Sequence, residues 1–237
     1  AERWMSLWKE TLELQHNQEQ LLLNIGCTDS LNIAVFVPLY DKILMNYPHL
    51  DLSIQSHHSS ELYGMLSEHN IDIGFVYHQL HYKNIISEKL FEEKLYLVQS
   101  EHPTVEKPIV HTDELDPTKE LFLSWDDNFQ IWHDRWLSSV SRPHISADTI
   151  TLLDRLWKNA DTWMIAPESV IHELSRYRKV YVSELKNPAP NRICYKIKHK
   201  YPKTTSKRAV ELFEEILEQL LHLERKEIPI GEIWGGQ

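Results

Sequence analysis

The stretch Leu21-Leu22-Leu23-Asn24-Ile25-Gly26-Cys27-Thr28-Asp29-Ser30 decides how this chain is read. Leu21 to Ile25 is a short apolar run suited to a buried strand, and Gly26 ends it. Thr28-Asp29-Ser30 supplies helix-capping side chains, after which Leu31, Ile33, Val35, Phe36, Leu39, Tyr40, Ile43 and Leu44 form an apolar stretch that suits a helix. Strand, turn, helix is the opening unit. Pro38 falls inside that helix, where it removes a backbone bond and is expected to cause a kink, and Tyr47-Pro48 marks the end.

Working outward, Leu50, Leu52 and Ile54 alternate with polar residues as a strand does, and Ser59-Ser60-Glu61 offers an N-cap for a helix through Leu62, Met65 and Leu66. Ile71-Asp72-Ile73-Gly74-Phe75-Val76 is the next strand and completes a β-α-β-α-β run. Such a run implies mostly parallel strands covered on both faces by helices, with ligand groups at the strand C-terminal ends. Gly26 to Ser30 and His57-His58-Ser59-Ser60 are two such ends.

Lys94 to Gln99 reads as a strand, and Glu101-His102-Pro103 then breaks the pattern at a first domain crossing. A second α/β set follows. Its strands are expected at Leu121 to Leu123, His144-Ile145, Trp163 to Ile165 and Val180 to Leu185, with helices at Phe129 to Leu137, Thr149 to Trp157 and Pro167 to Leu174. Asn191 to Lys198 alternates Ile193, Tyr195 and Ile197 as a further strand, and a strong helix spans Thr205 to Arg225. At the other end, Trp4, Leu7, Trp8, Thr11 and Leu14 recur at spacings of three and four over residues 1–20, the pattern of an amphipathic helix.

Composition narrows the function classes. The 237 residues are 42% hydrophobic, enough to fill a core, and 25% charged, with no apolar run near the roughly 18–20 residues a membrane helix needs. The chain therefore reads as soluble, without a leader, although it opens on Ala1, so a segment upstream is expected. A net charge of −10 repels phosphate backbones, so DNA contact is expected to come from elsewhere. Six glycines, three of them in the last seven residues, leave too few for a dinucleotide fingerprint or a phosphate-cradling loop. Cys27 and Cys194 are too few for a disulfide framework or a cysteine zinc site, which fits a reducing cytosol. His57-His58 and His78-x-x-His81 lack a completing ligand, and Cys27 has no identifiable base, so neither a metal nor a catalytic nucleophile is expected.

The order of these elements, with several local words, resembles the effector-binding domain of LysR-type transcriptional regulators. The words are Leu23-Asn24-Ile25-Gly26 followed by Ser30, Val37-Pro38-Leu39, Tyr47-Pro48-His49-Leu50, Ser60-Glu61-Leu62 with Ile71-Asp72-Ile73-Gly74, Leu90 to Val98 with Glu101-His102-Pro103, and Ile165-Ala166-Pro167. Asn159-Ala160-Asp161-Thr162-Trp163 departs from the family, which carries a glycine pair there. The resemblance implies an α/β protein with a two-subdomain periplasmic-binding-protein-like (type 2) fold, an interdomain cleft and an N-terminal linker helix. Residues 1–20 would be the linker and dimerisation helix, 21–98 with 201–225 the first subdomain, 99–200 the second, and 226–237 a tail.

The implied function is to sense a small-molecule effector in the cleft, in the cytoplasm, as a homodimer or homotetramer. DNA would be reached only through a helix-turn-helix preceding the first helix, and no cofactor, membrane contact or enzymatic activity is implied. Trp4, Leu7 and Trp8 would otherwise form an exposed apolar stripe, so they are assigned to dimerisation. The rival readings are a solute-binding protein of an ABC transporter, which shares the fold, and an enzyme built on that fold.

Thr28, Asp29 and Ser30 lie where a strand gives way to a helix, so their hydroxyls and free N–H groups could hold a polar ligand head, or simply cap the helix. Ser59 and Ser60 repeat that choice. Asp29 would repel an anion, which favours a neutral, hydroxyl-rich or cationic ligand unless its side chain turns away. Family position places Ser124, Trp125, Asp148, Thr149, Ile165 and Ala166 opposite, with Trp125 either a flat wall for a ring or core packing.

Overall fold

A computed structural model describes residues 20–100, 107–137, 143–158, 161–221 and 228–233. The expected helix over residues 1–20, including Trp4, Leu7 and Trp8, lies outside the described residues, as do Glu101-His102-Pro103 and Asn159-Ala160.

Strand β1 (Leu21–Cys27) buries Leu21, Leu23, Ile25 and Cys27. Gly26 sits in close packing: a methyl group there would come within 2.5 Å of Leu62 Cδ2 and Ile71 Cδ1, so both side-chain ends would have to move. The next three segments run on as one helix, α1: an α-helical turn (Asp29–Leu31), a π-helical stretch (Asn32–Phe36) and a regular α-helix (Val37–Asn46). Pro38 was expected to kink the helix. The wide π turn lies immediately ahead of it, and Pro38 falls in the first turn of the regular segment that follows. The π segment is fixed by Asn32, whose Nδ2 donates to Ser56 Oγ at 2.7 Å and whose Oδ1 accepts from Tyr40 Oη at 2.8 Å.

The chain continues through β2 (Leu50–Ser56), α2 (Ser59–Ser67), β3 (Ile73–Val76) and β4 (Ile85–Glu93). It then enters a second sheet with β5 (Leu95–Ser100), β6 (Ile109–Val110), β7 (Leu121–Phe122), α3 (Asp127–Trp136), β8 (Ile145–Ser146), α4 (Ile150–Leu156), β9 (Trp163–Pro167), α5 (Glu168–Ser175) and β10 (Val180–Leu185). Strand β11 (Arg192–His199) and helix α6 (Thr204–Leu221) return to the first sheet, and β12 (Gly231–Ile233) ends on the second.

The first lobe is the five-stranded sheet β2-β1-β3-β11-β4, in which β1 runs parallel to β2 and β3 while β11 is antiparallel to β3 and β4. Helices cover both faces: α1 and α6 on one side with Phe36, Phe75 and Phe213, and α2 on the other with Leu62, Tyr63 and Ile197. Helix α6 buries Ala209, Val210, Phe213, Ile216, Leu217 and Leu220 along one stripe, each large side chain contributing roughly 1.5–3 kcal/mol of burial. The second lobe is the sheet β12-β10-β5-β9, with β6 beside β10 and the short parallel pair β7-β8 apart from it.

Three expectations are corrected. The parallel pattern holds for β1, β2 and β3, but in the second sheet β5 lies antiparallel between β9 and β10, which run the same way as each other, and β12 is antiparallel to β10. The chain also changes sheets at Leu95 and Arg192, not at residues 99 and 201: β5 builds the second lobe and β11 the first. Residues 231–233 of the expected tail are a strand of the second sheet.

Candidate functional site

An open cleft of about 1050 Å³ separates the two sheets. From the first lobe it is lined by the loops that follow β1, β2 and β3, and from the second by those that follow β7 and β8. These are the C-terminal ends of parallel strands, and helices α1, α2, α3 and α4 begin beside them, so backbone N–H groups left free at helix starts face the cavity.

Nine of the eleven residues assigned to effector contact line this one cavity: Thr28, Asp29, Ser30, Ser59, Ser60, Ser124, Trp125, Asp148 and Thr149. Ile165 and Ala166 do not. They lie in β9, at 3% and 0% exposure, behind Trp125, whose indole Nε1–H donates to the Ile165 carbonyl at 2.7 Å. The Ile165 carbonyl thus holds the tryptophan that forms the wall, while Ala166 is part of the buried core.

The side chains divide by what already engages them. Asp29 is turned across to the second lobe, where its Oδ1 accepts from Thr151 Oγ1 at 2.9 Å and its Oδ2 from Thr151 N at 3.3 Å. Thr149 caps α4 through Leu152 N, and Asp126 caps α3 through Phe129 N at 2.8 Å. Helix α2 starts after His58, whose N–H donates to Glu61 Oε2. Ser59 does not cap it; its Oγ accepts from Tyr77 N at 3.2 Å and ties the α2 start to the end of β3. Thr28 precedes α1 without a side-chain cap bond, and its Oγ1 is buried with no hydrogen-bond partner. At the rim His78 Nδ1 meets Asp127 Oδ2 at 3.2 Å, one residue from each lobe.

The floor is a buried cluster around Arg192. This residue is 4% exposed, with its guanidinium carbon 3.2 Å from the Tyr77 ring centre and 4.8 Å from that of Trp125. Nη1 donates to Ser30 Oγ at 3.4 Å, Nη2 to the Trp125 carbonyl at 3.3 Å, and Nε has no partner. Beside it Glu93, also 4% exposed, accepts from Tyr77 Oη at 2.8 Å and from Ser169 N at 3.0 Å. Burial pushes the Tyr77 hydroxyl pKa well up, the neighbouring Glu93 carboxylate pushes it further, and Arg192 partly opposes both. Tyr77 therefore stays a neutral donor to Glu93.

Arg192, Tyr77, Glu93 and His78 were not among the sequence candidates. Reading β11 as an alternating strand picked out Ile193, Tyr195 and Ile197, but Ile193 and Tyr195 are half-buried while Arg192 and Cys194 are buried, and the register against β4 shifts between Cys194 and Tyr195. An arginine at the start of a strand that returns from the other lobe is the signal that could have found it.

Among the described residues no three His, Cys, Asp or Glu side chains converge as a metal site, and no helix is long and apolar enough to cross a membrane.

Residues 16–221 match the family model of the LysR substrate binding domain. The chain belongs to that family. The curated "HTH-type transcriptional regulator CzcR" of Bacillus anthracis is 22% identical over 163 residues, covering 68% of this chain and 54% of the relative, so the chain spans about half the length of that regulator. Among solved structures, the reduced OxyR regulatory domain from Pseudomonas aeruginosa superposes with a TM-score of 0.66 at 15% identity, over 88% of this chain and 100% of that one. The regulatory domain of MexT, a transcriptional activator in Pseudomonas aeruginosa, gives 0.70 at 11% identity, over 84% and 99%. At these identities the likeness is one of fold, and it agrees with the LysR two-lobed architecture seen here.

Proposed function

We propose that this LysR substrate binding domain is the sensing part of a transcription regulator and that its effector is a small molecule held between the lobes. The observation that carries the reading is the convergence of hydroxyl-bearing helix starts from both lobes on one cavity. A ligand that touches both lobes binds one relative pose better than another, and that difference in affinity is what shifts the balance between poses. The readout passes to a helix-turn-helix carried by an upstream segment, in a cytoplasmic homodimer or homotetramer joined through the helix bearing Trp4, Leu7 and Trp8.

Thermal-shift screening against amino acids, aromatic acids and sugar acids tests this. Thr28→Ala, Ser30→Ala and Ser60→Ala should each weaken a hit roughly 2- to 10-fold, the loss of one hydrogen bond. Unchanged affinity in all three would remove the cleft as the effector site. Trp8→Glu should lower the solution mass by weakening self-association; an unchanged mass refutes the role of the first helix.

A further inference from the structure

We infer that the effector is a small organic acid bearing a single carboxylate, received by Arg192 on the floor of the cleft. The inference rests on the reading that the cleft is the effector site.

Buried cations in folded proteins are paired with carboxylates or fully hydrogen-bonded, because an unpaired charge away from water is costly. Arg192 is 4% exposed and has neither arrangement. Among the described residues no carboxylate lies within ion-pair distance of it; nearby Glu93 accepts from Tyr77 and Ser169. Its two hydrogen bonds, at 3.4 and 3.3 Å, are longer than the usual 2.7–3.2 Å, and Nε makes none. The Tyr77 and Trp125 rings hold the guanidinium from either side and supply no oxygen acceptor of their own. What the guanidinium lacks is an oxyanion, and among the described residues that line the cleft it is the one lysine or arginine.

Two further observations agree. The Thr28 hydroxyl, buried and unpartnered, belongs to the same wall, two residues before the Ser30 that Arg192 touches. The Asp29 carboxylate lines the cavity too and keeps its charge, but its oxygens are held on Thr151 of the opposite lobe. The starts of α2 and α3 add a favourable dipole for negative charge.

The remaining charges limit the ligand to one negative group. Glu61, Asp126, Asp127 and Asp148 also line the cavity, so a second carboxylate or a phosphate placed away from Arg192 would meet like charge.

The test is an NMR titration of the full chain at constant ionic strength with acetate and benzoate, each beside its amide, following the Trp125 indole N–H assigned through Trp125→Phe. Both acids should shift that signal saturably at millimolar concentration, with the amides at least tenfold weaker, and Arg192→Gln should cost the acids at least tenfold. Because Arg192→Gln removes a group that also joins the lobes, Thr28→Val serves as a second variant and should weaken the acids several-fold. Acid and amide acting alike, neither acid moving the signal, or succinate binding more tightly than either acid would overturn the inference. A neutral compound that binds and responds to Ser60→Ala would overturn it too, while leaving the cleft as the effector site.

Discussion

Arg192 and Glu93 are register partners on β11 and β4, yet neither bonds the other; each joins one group from the first lobe to one from the second. Arg192 reaches Ser30 and the Trp125 carbonyl, and Glu93 takes the Tyr77 hydroxyl and the Ser169 amide. The two residues flank the places where the chain passes between sheets, so these polar contacts between the lobes lie at the joint itself, in addition to Asp29–Thr151 and His78–Asp127 across the cleft.

Tyr77→Phe removes the hydroxyl and leaves the buried Glu93 carboxylate with one fewer donor. Stripping a buried charged acceptor of a partner costs about 1–3 kcal/mol, and urea denaturation should show that loss with the denaturant slope unchanged. A cost below about 0.5 kcal/mol would mean Glu93 finds another donor.

Gly26→Ala places a methyl group 2.5 Å from Leu62 Cδ2 and Ile71 Cδ1, in the seam between β1 and α2. Overpacking of this kind costs about 1–3 kcal/mol, so the melting temperature should fall by several degrees. Leu62→Ala in the same chain should recover part of the loss by making room, and failure to do so would place the strain elsewhere.

Both cysteines are fully buried, and burial pushes each thiol pKa well up; Cys194 adds to the effect at Cys27, and Glu93 to that at Cys194. Thiolate is the reactive form, so the native protein should react negligibly with Ellman's reagent and release both equivalents only when unfolded. Rapid reaction of a native thiol would contradict the burial described here.

Helix α6 is fastened to the first sheet by Glu214, which receives Lys196 and also Lys198 Nζ, the latter at 2.9 Å from Oε2. Burial alone would raise the Glu214 pKa, but the bonds from Lys196 and Lys198 outweigh it and hold the carboxyl below its usual value. A folded pKa below the unfolded one gives stability that is present above the unfolded carboxylate value and lost as pH falls through the folded one. Burial likewise pulls Lys196 down, but its bonds to Glu214 and Glu88 leave it raised, so its share is lost only as pH climbs through its folded value. Glu214→Gln should remove about 1–2 kcal/mol at neutral pH and flatten the acid limb of a urea-midpoint against pH curve. A parallel downward shift at every pH would refute the ionic origin.

What could be read from the sequence follows from how local each signal is. β1, α1 and β2 were legible because apolar spacing, capping residues and Tyr47-Pro48 act over a few positions. Thr28 and Ser59 were placed at the cleft because residues of the helix-capping type bring hydroxyls to strand ends, and Thr149 by its family position. Strand β4 gave no pattern, since Ser87, Glu88 and Lys89 interrupt its apolar residues and its register shifts against β11. The joint was illegible for a different reason: Tyr77, Glu93, Ser169 and Arg192 are brought together only by strands that pass between the sheets.

Strand β12 adds a tether that the two inner passages do not provide. A body hung on a pair of adjacent ribbons can both flex and corkscrew. With α6 on the first sheet and β12 stitched along β10 of the second, a third stretch of chain joins the halves and adds to the resistance against screwing. Such a strap favours opening and shutting of the jaw over its twisting.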